Sequence, residues 1–135
     1  MLEVAMSVLV KNVLLLSMLT LAWASHTNVY ITNNLDGGED LNIHCKSKDD
    51  DLGQHVLHIN QDFKISFGTK LFFGTLFFCS FQWENGPLLH FDVYDQNRDY
   101  YKCYECKWSI KKDGPCRFEL QPGRSYLRKC YPWNH

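Results

Sequence analysis

Several groups of residues in this chain belong to types that do chemistry. His44, His55 and His58 stand near Lys46 and Lys48, and two imidazoles with a cation are the components of acid–base cleavage of RNA. Asp49, Asp50 and Asp51 are consecutive hard oxygen donors, the ligand type that calcium takes. Cys103 and Cys106 are spaced like half of a zinc thiolate site, which Cys116 and Cys130 would have to complete. Trp83, Trp108, Tyr100, Tyr101 and Trp133 offer aromatic faces on which sugars stack.

Spacing argues against each of these chemistries. His44 alternates with Ile43 and Cys45, so it faces solvent from a strand, and His55 and His58, three apart, fall on opposite faces. Without an oriented acid–base pair, the chain is not expected to be an enzyme. The aspartate run lacks the spaced ligands and glycine of a calcium loop, so it reads as a solvated acidic turn and no metal is expected. Cys116 and Cys130 lack close ligand spacing. Trp83 and Trp108 fall on the apolar faces of their segments and read as core. No cofactor-binding motif is present.

The cysteines instead point to export. Lys11 precedes the apolar run from Val13 to Leu21, and Ala22-Trp23-Ala24 fits a small-x-small cleavage pattern. That run is far shorter than the roughly 20 residues a membrane span needs. Residues 1–24 are therefore expected to be a cleaved signal peptide, with residues 25–135 as one domain that is not inserted in a membrane. Cys45, Cys79, Cys103, Cys106, Cys116 and Cys130 all lie in that domain. An even number of cysteines in a short exported chain implies a disulfide framework whose connectivity the spacing leaves open. The chain of 135 residues is 45% hydrophobic and 15% aromatic, which suits a packed core. Its net charge of −1 supplies no field for phosphate backbones, so nucleic acid is not an expected partner.

The elements that would position these residues are strands. Period-two alternation recurs at Asn28 to Thr32, Leu41 to Cys45, Phe63 to Phe67, Leu89 to Val93, Cys106 to Ile110 and Cys116 to Leu120. Turn signals such as Asn85-Gly86-Pro87 and Asp113-Gly114-Pro115 separate them. Leu71 to Trp83 is apolar at both odd and even positions and predicts a strand covered on both faces. The fold class expected is all-β, a small disulfide-stabilised antiparallel sandwich of about eight strands.

Five segments in order carry a resemblance. They are His44 to Gly53, the Phe63-x-Ile65-x-Phe67 run with Thr75-x-Phe77-x-Cys79, Phe91-Asp92-Val93-Tyr94, Cys106-x-Trp108 with Asp113-Gly114, and Cys130-Tyr131-Pro132-Trp133. Together they resemble the plant self-incompatibility S-protein homologue family across most of residues 28–134. The resemblance implies a secreted β-sandwich held by disulfides. It also implies a ligand role, since members act as a pistil determinant read by a receptor on pollen. Cys45, Cys79, Cys106 and Cys130 match the family pattern, with Cys103 and Cys116 as an added pair. The pairing this suggests is Cys45–Cys130, Cys79–Cys106 and Cys103–Cys116.

Recognition residues concentrate in loops on a rigid scaffold. Two loops stand out: Lys46 to Gln54, with Lys46, Lys48, Asp49, Asp50 and Asp51, and Asp95 to Lys102, with Arg98, Asp99, Tyr100 and Tyr101. The second mixes Arg and Tyr, types enriched at binding hot spots, and Arg98→Ala and Tyr101→Ala are expected to weaken partner binding without lowering the melting temperature. The function expected is that of a secreted, monomeric signalling ligand for a cell-surface receptor. The runner-up is a secreted defence protein acting on microbes.

Overall fold

The computed structural model describes residues 7–13, 26–69, 74–123 and 125–134. The expected cleavage site at residues 22–24 and the apolar residues 71–73 lie outside that set. Residues 7–13 form a short exposed helix, α1. Among the described residues no helix is long and apolar enough to cross a membrane.

The alternating segments become strands, because each can bury one face while wetting the other. They are β1 (His26–Asn33), β2 (Leu41–Lys46), β3 (Asp51–Leu57), β4 (Asp62–Gly68), β5 (Leu76–Gln82), β6 (Leu89–Asp95), β7 (Glu105–Lys111), β8 (Gly114–Leu120) and β9 (Tyr126–Cys130), with a one-turn helix, α2 (Gln96–Asp99), between β6 and β7. Two sheets result, ordered β4-β1-β7-β8-β9 and β3-β2-β5-β6. Val29, Ile31, Trp108 and Ile110 from the first meet Leu41, Ile43, Phe81, Phe91 and Val93 from the second. The ring of Trp108 packs edge-on to Phe91 at 4.9 Å. Its indole N–H donates to the Val93 carbonyl at 2.7 Å, which ties the sheets across the core. Asn33, fully buried, donates to the carbonyls of Glu39 and Leu57 and accepts from the Leu35 N–H, so no polar atom of its amide is stranded.

The fold is thus all-β and disulfide-stabilised as expected, and four details differ. One pair, β1 with β7, is parallel. Parallel neighbours need a long crossover, and here the whole second sheet lies between them in the chain. β5 is covered on one face only: Phe77, Cys79 and Phe81 are buried while Leu76 and Phe78 are exposed. The Lys46 to Gln54 segment is mostly strand, with a tight turn at residues 47–50. The third difference of local structure is the Asp95 to Lys102 segment, which is not an open loop but begins with α2, capped by the Asp95 carboxylate on the Asn97 N–H.

The disulfide pairing implied by the resemblance is also corrected. The bridges are Cys45–Cys79, Cys103–Cys106 and Cys116–Cys130. Cys45 and Cys79 sit directly opposite on β2 and β5, and Cys116 and Cys130 on β8 and β9. Strand adjacency decided these links, and β2 lies far from β9 in the other sheet.

Non-reduced peptide mapping should return these three links, and any peptide joining Cys45 to Cys130 would refute them. Replacing Cys45 and Cys79 together by alanine should cost about 2–4 kcal/mol in denaturant unfolding. Replacing Cys103 and Cys106 should cost less through chain entropy, because that bridge closes a separation of only 3 residues against 34.

Candidate functional site

The chemistry-bearing side chains separate into an internal cluster and an exposed end. In β8, Phe118 is exposed while Arg117 and Glu119, on the alternate positions, are buried. Arg117 is almost wholly buried and meets the fully buried Asp99 of α2, its Nη2 2.6 Å from Asp99 Oδ1. Arg98 grips the same carboxylate with two bonds, Nε to Oδ1 and Nη2 to Oδ2, each 2.7 Å. The Asp95 N–H donates to Oδ2 at 3.0 Å. Arg117 Nε donates to Glu119 Oε1 at 2.9 Å, and that oxygen also accepts from the Tyr131 hydroxyl.

Aromatic rings hold both guanidinium groups. Arg117 lies 4.4 Å from the centre of the Trp108 ring, and Arg98 lies 5.1 Å from Phe91 and 5.3 Å from Tyr131. Planar guanidinium groups suit this combination of forked hydrogen bonding and stacking. Burial by itself would raise the Asp99 carboxyl, but the Arg98 hydrogen bonds and the Arg117 charge outweigh it and hold Asp99 below the usual carboxylate range. Glu119 is likewise lowered: burial opposes ionisation, and the Tyr131 and Arg117 hydrogen bonds overcome it. Burial, then the hydrogen bond to Glu119, pushes the Tyr131 phenol up.

This burial corrects two sequence expectations. Asp99 presents nothing to a partner, and Arg98 is committed to Asp99, to the Asp92 carbonyl and to three rings. Both hold α2 against β8. No spacing rule links residue 99 to residue 117; only the inward alternation of two charged residues in β8 could have signalled buried partners.

The other candidates stay at the surface, and the fold brings them to one end of the sandwich. β2 ends there, β3 and β5 begin there, and β6 runs there into α2. Lys48, Asp49 and Asp50 are exposed on the 47–50 turn. That turn is closed by the Ser47 N–H to the Asp50 carbonyl at 2.8 Å. Lys46 and Asp51 flank it, 4.0 Å apart. Beyond α2, Tyr101 is 95% exposed and stands edge-on to the half-buried Tyr100. Thr75 joins the two regions: it shares a depression with residues 47–50 and exchanges hydrogen bonds with Gln96, 2.9 Å and 2.8 Å.

The histidines occupy three separate settings. His44 Nε2 lies 2.6 Å from Asp51 Oδ1. The backbone N–H of Gly53, and next the His44 contact, hold the Asp51 carboxyl below its ordinary range. His55 stacks on Phe63 of β4 at 4.4 Å between ring centres. His58 pairs with Asp40 at 2.7 Å. Among the described residues no group of three or more His, Cys, Asp or Glu side chains is placed to hold a metal ion.

These features define an all-β sandwich with three disulfides, an internal charged cluster and a loop-bearing end. The chain matches the family model described as plant self-incompatibility protein S1 over residues 28–133. S-protein homolog 5 of Arabidopsis thaliana is 48% identical over 105 residues, which cover 78% of this chain and 77% of that protein. S-protein homolog 2 of the same plant is 44% identical over 115 residues, covering 82% and 70%. The protein belongs to the plant self-incompatibility S-protein homologue family. No solved structure matches the chain.

Because Asp99 and Glu119 ionise more readily folded than unfolded, the stability they supply is present above the unfolded carboxyl values, about pH 4, and is lost as pH falls through the lower folded values. Urea unfolding followed downward from neutral pH should show this loss. Asp99→Asn should cost about 3–5 kcal/mol at neutral pH, by leaving the Arg98 and Arg117 guanidinium groups with Glu119 alone to balance them, and should flatten the acid dependence. Arg98→Ala should lower the melting temperature, replacing the expectation of an unchanged one.

Proposed function

We propose that this protein is a secreted, non-enzymatic signalling ligand, read by a cell-surface receptor in reproduction or another cell–cell exchange. The observation that carries this reading is the gathering of Lys48, Asp49, Asp50 and Tyr101 at one end of a covalently stapled sandwich. A rigid scaffold that presents a small set of loops binds without a large ordering cost. Family membership supports the ligand role, since the family's model is described as a self-incompatibility protein. Three disulfides suit an oxidising, extracellular setting. In this reading residues 1–24 are removed on export, the mature chain acts as a monomer, and Lys46, Asp51 and Tyr100 frame the contact.

Labelled, fully oxidised residues 25–135 should bind saturably to intact plant cells of at least one tissue, pollen included, and protease treatment of the cells should abolish that binding. Tyr101→Ala should weaken it about tenfold or more with an unchanged melting temperature. Absence of saturable binding on every tissue would overturn the ligand reading and turn attention to microbial surfaces.

A further inference from the structure

The outer face of the five-stranded sheet carries a row of side chains of regular composition. Lys64 on β4 stands opposite Tyr30 on β1, and Tyr30 stands beside Lys107 on β7. Continuing by two residues the register that pairs Ser109 with Cys116 puts Lys107 level with Phe118 on β8, with which it lines one depression, and Phe118 stands opposite Arg128 on β9. The row therefore reads cation, ring, cation, ring, cation across all five strands. At about 4.8 Å per strand it is roughly 19 Å long, with successive cations about 10 Å apart.

The row is largely open to solvent. The Lys64 and Lys107 ammonium groups lie 5.5 Å and 5.9 Å from the Tyr30 ring centre. Phe118 is 69% exposed, too much for a core residue. Arg128 is exposed and makes no ion pair among the described residues. Two acids flank the row: Asp62 accepts from Thr32 between β4 and β1, and Glu105 on β7 accepts from Asn28 of β1 and faces Tyr30, Lys64 and Lys107. Toward β8 and β9 the face sinks into a shallow depression of ≈ 460 Å³ lined by Lys107, Lys111, Phe118 and Arg128, with no carboxylate in its lining. Lys111 reaches Asp36 at 3.4 Å and Lys107 shares Glu105 with Lys64, which leaves Arg128 as the cation of this lining without a carboxylate partner among the described residues.

We propose that this row binds an acidic polysaccharide, a linear chain of uronic-acid rings lying across the strands. Carboxylates of the polymer pair with Lys107, Arg128 and Lys64, and the apolar faces of its rings rest on Phe118 and against Tyr30. Charge complementarity selects an anion, and the alternation of cation with ring selects a polymer that repeats a carboxylate and a flat apolar face. A peptide is disfavoured because backbone groups in the middle of a sheet are already paired, so no strand can be added along this row. Single-stranded nucleic acid carries its charge on a phosphate backbone with the bases as its flat faces, and the RNA arm of the test separates it from the polysaccharide. The site lies on a sheet face, apart from the loop end, and does not depend on the receptor reading.

The test is calorimetry of oxidised residues 25–135 with polygalacturonate at low salt, beside the fully methyl-esterified polymer, polyglutamate and single-stranded RNA. The expected result is binding to polygalacturonate that weakens as salt is raised and is absent for the neutral ester. Arg128→Ala and Lys107→Ala should each weaken it about tenfold, and Phe118→Ser should weaken it without changing the salt dependence, all with unchanged melting temperatures. Lys48→Ala, at the loop end, should bind as the parent does. No binding, equal binding to polyglutamate or RNA, or indifference to the Arg128 and Phe118 substitutions would overturn the proposal.

Discussion

The buried carboxylate of Asp99 organises the end of this molecule. A charge with no solvent exposure is tolerable only when opposite charge and hydrogen bonds surround it. Arg98, Arg117 and the Asp95 N–H supply both. Each of those partners belongs to a different structural piece, and the carboxylate obliges them to meet. α2 is a single turn, too short to be stable alone, and it is held in place by its side chains. Arg117 ties β8, already paired with β7 and β9, to α2 through Asp99, and Tyr131 ties the segment after β9 to the same cluster through Glu119. Trp108 and Phe91 provide the aromatic walls that make guanidinium groups acceptable inside.

Covalent and non-covalent ties have divided the work. Two bridges staple neighbouring strands within a sheet, Cys45–Cys79 in one and Cys116–Cys130 in the other. They fix register without joining the sheets. Joining falls to the apolar interior, to the Trp108 bond to Val93, and to the cluster around Asp99. The third bridge, Cys103–Cys106, tightens the chain where it leaves α2 for β7, and the Arg117 guanidinium lies 3.4 Å from Cys103 Sγ. Tyr101 sits between the cluster and the bridge, so its short segment is tied at both ends.

Internal commitment also explains what is left at the surface. With Arg98, Asp99, Arg117 and Glu119 turned inward, the polar groups that remain outside are sorted by location. The loop end carries short side chains, an acidic pair with one lysine, and an exposed tyrosine. The outer face of the larger sheet carries long cations interleaved with rings. These surfaces differ in shape and charge, and the fold separates them.

Alternation along the chain made the strands legible, because period two is a property of local geometry and survives without knowledge of the partner strand. It located most of the nine strands and the burial of Trp83 and Trp108, and ordered motifs such as Phe91-Asp92-Val93-Tyr94 placed the chain in its family. The loops carrying Lys48 and Tyr101 were legible for the same reason, as polar breaks between periodic segments. Periodicity says nothing about which strands become neighbours. The parallel pairing of β1 with β7, the exposed outer face of β5 and the Cys45–Cys79 and Cys116–Cys130 links depended on that adjacency. So did the role of Arg98 and Asp99: their neighbours in sequence are polar, and only contact with Arg117, Trp108 and Tyr131 makes them interior. Local pattern is written residue by residue, whereas charge pairing and strand order are decided by whichever distant segments the folded chain brings within a few ångströms.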